Sequence, residues 1–289
     1  MDAYAPILFL QQFANPVLTA FFQYVTLLGQ SEFWVFLAAI LFWQGHEEDS
    51  FYVMSILLFS AVAVAIFKTT FHELRPNEQI VQKFTHASGY SLPSGHSTLA
   101  SAEATWISTL KNKKWTVLAI IGALLVMISR MYLGVHYLHD VVAGALLGIT
   151  LTAGLWFLLK KAKYKFFGYW NINKKAILYI GIIILLILLI AKLEIKTIWF
   201  GGIMLGYFLG LVLLNSKMVN IDSKTNIWMQ LGGIIGLFAV YSCVYLFLQI
   251  NKIVALVIAI FGGFWISVIY PALLKLSQLA KDLKNKSVY

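Results

Sequence analysis

The stretch SFYVMSILLFSAVAVAIFKT, residues 50–69, sets the fold class of this protein. Its one charged residue is Lys68, next to its last position. A helix needs about 20 predominantly apolar residues to cross the hydrocarbon core of a bilayer, and this stretch has that length. Comparable apolar runs recur along the chain, separated by short polar or charged segments. The sequence therefore predicts an all-α protein, a polytopic bundle of transmembrane helices.

The composition agrees with a chain that lies mostly in lipid. Of its 289 residues 60% are hydrophobic and 12% are charged, and the formal net charge is +10. Soluble domains are roughly 45–50% apolar and about 25% charged. The composition excludes a soluble globular domain, a disordered chain and a nucleic-acid-binding protein, because so few charges could not follow a phosphate backbone. Membrane lipids are the expected surroundings, and a basic chain suits anionic headgroups.

About nine spans are expected. They are residues 31–45, 50–69, 94–111, 115–133, 139–160, 176–193, 197–215, 226–249 and 252–274. Residues 5–28 are apolar too, but Asn15-Pro16 interrupts them and they include three glutamines. Helices lying in the membrane interface are expected there, with a tenth span as the alternative. Three segments follow from this pattern: interfacial helices over 1–30, a membrane core over 31–160 and further membrane helices over 161–289.

The distribution of lysines predicts the orientation of the chain. Lysines cluster in four segments, at 111–114, 160–175, 217–224 and 275–286. With nine spans all four clusters fall on one side, which the positive-inside rule places in the cytoplasm. The C-terminus is then inside and the N-terminus outside. The acidic segment Glu47-Glu48-Asp49 also falls inside, but acidic residues contribute little to the rule.

Unusual polar residues occur in three clusters at the edges of the expected spans. The clusters are Lys68 followed after six residues by Arg75-Pro76, then Pro93-Ser94-Gly95-His96-Ser97, then Ser129-Arg130 followed by His136 and Asp140. Polar residues in a membrane are costly, so they indicate a functional site. The predicted topology puts all three clusters at the outer face of the membrane.

The first two clusters, together with Arg130, predict a pocket for an oxyanion. Arginine offers a planar fork that suits phosphate oxygens, and lysine offers a point charge. Pro93-Ser94-Gly95 is typical of a helix start with Ser94 at the N-cap or in the first turn. The backbone N–H groups and the dipole of such a helix end attract anions, and Gly95 allows close approach of the backbone.

Two histidines add reactive groups to this pocket. His136 and Asp140 are four residues apart, so in a helix they share a face. The carboxylate would orient the imidazole, which makes His136 a candidate nucleophile toward phosphorus. His96 could protonate the leaving oxygen and later activate water. Taken alone, the His136–Asp140 pair has an alternative interpretation, a purely structural hydrogen bond at a helix end.

Four other polar residues match no part of these patterns. His139 is expected to be structural, and the loop around His72 and His86 is expected to be solvated, with headgroup contact as the alternative. Glu103 lies seven residues after His96, on the same helix face, so it could brace either the site or another helix.

The three clusters resemble the motifs of the type 2 phosphatidic acid phosphatase family, which is related to the vanadium haloperoxidases. The resemblance covers about residues 60–150 and implies that residues 31–160 form the catalytic core. It implies that His136 is the nucleophile, His96 the acid and base, and Asp140 the partner of His136. It implies phosphate binding by five residues: Lys68, Arg75, Ser94, Gly95 and Arg130. It also implies that the enzyme needs no metal and no cofactor.

The expected function is that of an integral-membrane phosphatase acting on a phosphorylated lipid, at the outer side of a bacterial plasma membrane. Candidate substrates are polyprenyl pyrophosphate, phosphatidylglycerol phosphate and phosphatidic acid. The nine-span topology resembles the glucose-6-phosphatase branch, so hydrolysis of a soluble sugar phosphate is an alternative. A lipid phosphotransferase and an anion transporter or channel are further alternatives. The sequence does not indicate an oligomeric state.

Overall fold

The computed structural model describes residues 3–161, 183, 195–213 and 227–286. These residues form helices joined mostly by short loops, the exception being residues 72–94 between Phe71 and Gly95, and within them there is no β-strand. The expectation of an all-α protein is confirmed. Several of these helices are long and apolar enough to cross a membrane.

The helices follow one another along the chain with few long connections. In the first half they are α1 (Ala5–Gln11), α2 (Pro16–Val25), a 3-10 turn (Thr26–Gly29), α3 (Ser31–Trp43), α4 (Glu47–Phe71), α5 (Gly95–Thr109), α6 (Lys113–Tyr132) and α7 (Leu138–Lys161). In the second half they are α8 (Ile195–Leu213), α9 (Ile227–Leu248), α10 (Lys252–Phe264), a π-helical turn (Trp265–Ile269) and α11 (Tyr270–Lys286).

The expected count of nine spans is not confirmed. Among the described residues five helical segments are long and apolar enough to cross a membrane, or six if the bent pair Pro16–Gly29 and Ser31–Trp43 forms one span. The segment expected at 94–111 is the helix α5, which has 15 residues and is rich in serine and threonine. The segment expected at 176–193 lies outside the described residues, apart from residue 183.

The chain divides into two compact units. The first unit comprises Met1–Trp34 and Tyr52–Tyr164, and the second comprises Val35–Phe51 and Lys165–Tyr289. The N-terminal helices α1 and α2 belong to the first unit, together with all three polar clusters. The division into 1–30, 31–160 and 161–289 stays a prediction.

The contact between α5 and α7 determines the geometry of the first unit. Gly144 and Gly148 lie four residues apart on α7 and so share one face. A Cβ at Gly144 would lie 2.6 Å from the carbonyl oxygen of Ser94, and one at Gly148 would meet the carbonyl oxygen of Thr98. These glycines therefore let the two backbones touch. As a result the amide of Ser94 donates to the carbonyl oxygen of Asp140 at 3.0 Å.

The second unit uses glycine in the same way. A Cβ at Gly206 on α8 would meet the carbonyl oxygen of Ile260 on α10, so these helices also pack backbone to backbone. Trp43 is fully buried in this unit and its indole N–H donates to the carbonyl oxygen of Ile266 at 3.0 Å. This bond satisfies the one polar atom of a large apolar side chain.

Candidate active site

The second polar cluster forms the start of α5. Ser94 is the N-cap, and its hydroxyl oxygen accepts from the backbone N–H of Ser97 at 3.4 Å and from the Ser97 hydroxyl at 3.0 Å. The prediction that Pro93-Ser94-Gly95 opens a helix is confirmed. N–H groups in the first turn of a helix have no acceptor within the helix, so the buried end of α5 can bind an anion.

The turn between α6 and α7 places His136. Gly134 follows the end of α6 with φ of 72°, a left-handed conformation that glycine adopts without strain. The chain reverses there, and the amide of Val135 donates to the carbonyl oxygen of Arg130 at 3.2 Å. His136 comes two residues before the first residue of α7. It therefore precedes the helix that carries Asp140, whereas the sequence suggested one shared helix.

His136 and Asp140 nevertheless meet, because the last residues before α7 already curve toward its first turn. Nδ1 of His136 lies 3.3 Å from Oδ2 of Asp140. The same oxygen accepts from the backbone N–H of Tyr137 at 2.8 Å and from the hydroxyl of Ser91. Asp140 and Ser91 are both 0% exposed. The carboxylate is held by several donors, so it fixes the orientation of the imidazole.

Arg75 contacts the other nitrogen of the ring. Its Nη1 lies 3.0 Å from Nε2 of His136 and donates to the carbonyl oxygen of Val135 at 2.8 Å. Nη2 and Nε donate to the carbonyl oxygens of Ser88 and Gly89 at 2.9 and 3.0 Å. A guanidinium group can only donate, so Nε2 of His136 is the acceptor and its proton sits on Nδ1.

The charge state of the ring agrees with this assignment. Burial lowers the pKa of His136 to about 3, and the charges of Arg75 and Arg130 act in the same direction. The hydrogen bond to Asp140 opposes this effect without overcoming it. His136 is thus a neutral imidazole near pH 7, with its Nε2 lone pair facing cationic groups.

Two further cations lie near this ring. Lys68, at the end of α4, donates from Nζ to the carbonyl oxygen of Tyr90 at 2.8 Å and interacts electrostatically with Arg75, Arg130 and Asp140. Arg130 is 4% exposed, and its Nη1 donates to the hydroxyl of Thr26 at 2.9 Å. The structure thus brings the cations of the first and third clusters to one place, as the sequence predicted.

His96 occupies the first turn of α5 and is half-buried. Its backbone lies against the 3-10 turn, since a Cβ at Gly29 would be 2.9 Å from Cβ of His96. Gly95 is also half-buried, and a Cβ added there would have only ordinary contact, with Val64 at 3.6 Å. Close approach of a ligand to this backbone is therefore sterically possible.

The remaining described histidines of the first unit lie away from the His136 ring or at the rim of the candidate site. His86 is exposed in the loop after α4, and His72 is exposed with its ring against Tyr90. His139, expected to be structural, lies at the rim of the site, where Nε2 is 2.6 Å from Oε1 of Glu73 and 3.5 Å from Oδ1 of Asp140.

Sequence reasoning missed two side chains that touch the candidate catalytic residues. Ser91 hydrogen-bonds Asp140 and Thr26 hydrogen-bonds Arg130. Ser91 precedes Pro93 by two residues. This position beside a motif was the one feature of the sequence that could have identified Ser91 as part of the site. Nothing in the spacing of the chain pointed to Thr26, because it lies 104 residues from Arg130.

One group of side chains could hold a metal ion. Among the described residues Glu73, His139 and Asp140 offer ligand atoms that lie within 4.8 Å of one another. His136 bonds Oδ2 of Asp140, whereas Oδ1 is the oxygen that lies 3.5 Å from Nε2 of His139. Apart from that group, the arrangement is a neutral imidazole beside several cations, which suits attack on an anionic ester.

Comparison with known proteins agrees with this chemistry. The family model described as PAP2 superfamily matches residues 50–165. Phosphatidylglycerophosphatase B of Bacillus subtilis is 31% identical over 161 residues, which is 51% of this chain and 76% of that protein. Undecaprenyl-diphosphatase of Sulfolobus acidocaldarius is 50% identical over 60 residues, 20% of this chain and 29% of that protein.

Among solved structures, the crystal structure of a transmembrane PAP2 type phosphatidylglycerolphosphate phosphatase from Bacillus subtilis is 25% identical, with a TM-score of 0.49. The similarity extends over 56% of this chain and 87% of the chain in that crystal structure. The chain belongs to the PAP2 superfamily, and its enzyme class is that of the phosphatases, which hydrolyse phosphoric esters. The expected likeness to the glucose-6-phosphatase branch is not confirmed.

Proposed function

We propose that this protein hydrolyses a phosphate or diphosphate ester of a membrane lipid through a phosphohistidine on His136, without a metal cofactor. The observation that carries the proposal is the position of the His136 ring between Asp140 and Arg75. Nδ1 faces a carboxylate at 3.3 Å, and Nε2 faces a guanidinium at 3.0 Å. A neutral nucleophile and a cation that binds phosphate thus occupy the same place.

In the first step Nε2 of His136 attacks phosphorus and the bond from phosphorus to the lipid oxygen breaks. His96 gives its proton to that oxygen, so the lipid leaves as an alcohol, or as a monophosphate if the substrate is a diphosphate. The proton on Nδ1 of His136 stays there, and Asp140 stabilises the positive charge of the phosphorylated ring. Lys68, Arg75 and Arg130 neutralise the oxygens of the transferring phosphoryl group.

In the second step His96 takes a proton from water, and the resulting hydroxide attacks phosphorus. The bond between phosphorus and Nε2 breaks, so inorganic phosphate is released and His136 returns to its neutral form. Ser94 and the first-turn amides of α5 provide further donors to the same oxygens. No step needs a redox partner or an additional group.

A lipid substrate fits the location of the site. Lys68 lies near the end of α4, one of the segments long enough to cross a membrane. A headgroup at that level can enter the pocket while its acyl or prenyl chains remain in the bilayer. Relatives named for phosphatidylglycerophosphate and undecaprenyl diphosphate support this class of substrate.

The experiment is a phosphate-release screen of the purified protein in detergent. Phosphatidylglycerol phosphate, undecaprenyl diphosphate, phosphatidic acid and glucose 6-phosphate are offered separately, in buffer that contains EDTA. We expect release from one or more of the lipids and trapping of acid-labile, base-stable phosphate on the protein. His136→Ala should abolish both. The control is His86→Ala, the same substitution at an exposed histidine in the loop after α4, and it should retain both.

Each other outcome contradicts a defined part of the proposal. Full activity of His136→Ala excludes the phosphohistidine. Preference for glucose 6-phosphate excludes the lipid substrate, and phosphate transfer to an added alcohol in place of water makes the protein a phosphotransferase. Uptake of phosphate into proteoliposomes without hydrolysis makes it a transporter.

The outer location of the site is part of the same proposal. It is supported by the positions of the lysine clusters, and the chain offers a direct test because its one cysteine is Cys243. Two single-cysteine variants, Gln79→Cys and Lys114→Cys, are made in a Cys243→Ala background. Gln79 is exposed in the loop that contains Arg75, and Lys114 is exposed at the opposite end of α6 from Arg130. A membrane-impermeant maleimide added to intact cells should label the first and spare the second, and the reverse pattern would place the site inside.

A further inference from the structure

The 3-10 turn Thr26–Gly29 lies against two residues of the proposed catalytic site, although no motif of the sequence includes it. Its first residue, Thr26, is 6% exposed and its hydroxyl accepts from Nη1 of Arg130 at 2.9 Å. Its last residue, Gly29, lies so close to His96 that a Cβ there would be 2.9 Å from Cβ and 3.0 Å from the carbonyl oxygen of that residue. The turn therefore touches both α6 and α5 at the level of the site.

Packing holds the turn in this place. Leu28 lies against a buried cluster of small and β-branched side chains formed by Ala100, Ala104, Ala123 and Val126. The carbonyl oxygen of Leu28 accepts from the indole N–H of Trp34 at 2.7 Å, and Trp34 is itself buried. A turn fixed on both sides can hold a partner group in a defined orientation.

The chemistry of the contact between Thr26 and Arg130 is specific. A buried guanidinium is costly unless its N–H groups find acceptors. Nη1 of Arg130 uses the Thr26 hydroxyl, whereas Nε is buried and has no hydrogen-bond partner among the described residues. A donor left over in this way, near Arg75 and His136, is available to an oxygen of a bound phosphate.

The partner of Arg130 is a neutral hydroxyl, and this matters for binding. A carboxylate at this place would hold the guanidinium equally well but would cancel the charge that a phosphate needs. A hydroxyl orients the group through one hydrogen bond and leaves its charge intact. Since Arg130 has several rotatable bonds, fixing its head in advance also lowers the entropy lost when phosphate binds.

We propose that Thr26 is a positioning residue of the phosphate pocket, which acts by holding Arg130 in the orientation that binds a phosphoryl group. The N-terminal helices then belong to the catalytic unit and do more than lie at the membrane interface. The inference rests on the proposed function and adds to it a residue outside the three motifs.

The test compares substitutions of matched size at Thr26 by two readouts, the dissociation constant of orthovanadate measured by calorimetry and the kinetics of lipid phosphate hydrolysis. Thr26→Val keeps the shape and removes the hydroxyl. It should weaken vanadate binding and raise KM by about tenfold or more, the loss expected for one hydrogen bond to a charged group. Thr26→Ser keeps the hydroxyl and should stay within about threefold of wild type, while Thr26→Asp should bind vanadate more weakly than Thr26→Val because it neutralises Arg130.

A double-mutant cycle separates this role from simple packing. If Thr26 acts through Arg130, Thr26→Val should have no further effect on vanadate affinity in an Arg130→Ala background. Equal losses in both backgrounds, vanadate affinity of Thr26→Val equal to wild type, or a Thr26→Ser variant as weak as Thr26→Val would each overturn the inference. Should Thr26→Val not fold, Thr26→Ala serves the same comparison.

Failure of the proposed function gives a different result. In that case the wild-type protein neither binds vanadate nor releases phosphate, and both proposals are overturned together. A wild type that does both, combined with an unchanged Thr26→Val variant, overturns the positioning role alone.

Discussion

Nη1 of Arg75 lies 3.0 Å from Nε2 of His136, so the guanidinium faces the lone pair that the proposed mechanism uses for attack. The same Arg75 is anchored by the carbonyl oxygens of Ser88, Gly89 and Val135. An incoming phosphoryl group must take its place between the two side chains. In the proposed mechanism Arg75 then passes its donor from Nε2 of His136 to a phosphate oxygen. Before substrate arrives, burial and the charge of Arg75 both favour the neutral form of the imidazole.

The first prediction concerns the planar fork of Arg75. Arg75→Lys keeps one positive charge but cannot reach three backbone carbonyl oxygens and a phosphate together. We expect kcat/KM for a lipid phosphate to fall by about 100-fold or more, as for loss of a transition-state donor. Lys83→Gln, in the same loop, is the control because its ion pair with Glu78 is long at 3.9 Å. If kcat/KM of Arg75→Lys decreased by less than threefold, a point charge at this position would be sufficient for activity and the planar fork would not be needed.

The second prediction concerns Ser91, which donates to the carboxylate of Asp140. Ser91→Ala leaves that carboxylate with one donor fewer and loosens its hold on His136. Loss of such a supporting contact typically costs about 10–100-fold in activity, and we expect kcat to fall while KM changes little. Ser88→Ala provides the comparison, since Ser88 contributes its backbone carbonyl, which the substitution retains. Equal kcat values for the two variants would remove Ser91 from the mechanism.

The third prediction concerns pH and stability. Burial lowers the pKa of His136 to about 3, against about 6.5 for an unfolded chain. Above pH 6.5 both states hold a neutral ring, so stability does not change with pH through this residue. Below pH 6.5 the unfolded chain binds a proton that the folded protein does not, so the free energy of unfolding decreases until the pH reaches about 3. At pH 5 the decrease amounts to about 2 kcal/mol.

Thermal unfolding in detergent between pH 7.5 and 5 checks this prediction. The midpoint of wild type should fall more steeply with decreasing pH than that of His136→Asn, which cannot bind the proton. Parallel curves would mean that His136 titrates alike in the folded and unfolded states.

The fourth prediction concerns the contact between α5 and α7. A Cβ at Gly148 would clash with the backbone of Thr98, whereas a Cβ at Gly154 would meet nothing within 4 Å. Both glycines lie in α7, so Gly148→Ala and Gly154→Ala differ chiefly in packing. Gly148→Ala should destabilise the protein by about 1–3 kcal/mol and lower activity, because it separates Ser94 from Asp140. Gly154→Ala should be neutral or slightly stabilising, and unfolding midpoints that rank the two variants in the opposite order would contradict this account.

The fifth prediction concerns metal ions. The proposed mechanism uses none, so prolonged dialysis against EDTA should leave kcat unchanged. Since Glu73, His139 and Asp140 lie close together, a metal ion required for activity would be expected to bind to these residues. Loss of activity in EDTA that zinc restores in wild type but not in His139→Ala would overturn the metal-free mechanism.

The helices, the cap of α5 and the family could be predicted from the sequence because each depends on residues that are near one another in the chain. Apolar runs predicted the membrane helices, and Ser94 before Gly95 predicted the cap. The spacing of His136 and Asp140 predicted their contact even though the helix begins two residues after His136. In these cases the local conformation brings the side chains together without help from distant segments.

Some features of α5 were harder to predict for a physical reason. Its sequence resembles a span over 94–111, but the helix has 15 residues and is largely buried between α6 and α7. Apolar and small residues look alike in a membrane helix and in a protein core. Burial by neighbouring helices decides how much of α5 can face lipid, and that depends on packing.

What the sequence by itself determined is the class of fold and the identities of the motif residues, since apolarity, capping and short spacings act along the chain. Only the tertiary structure decided which side chains support them. Ser91 meets Asp140 across 49 residues and Thr26 meets Arg130 across 104. Such pairs form because close helix packing brings distant segments within hydrogen-bonding distance, and no local pattern encodes that distance.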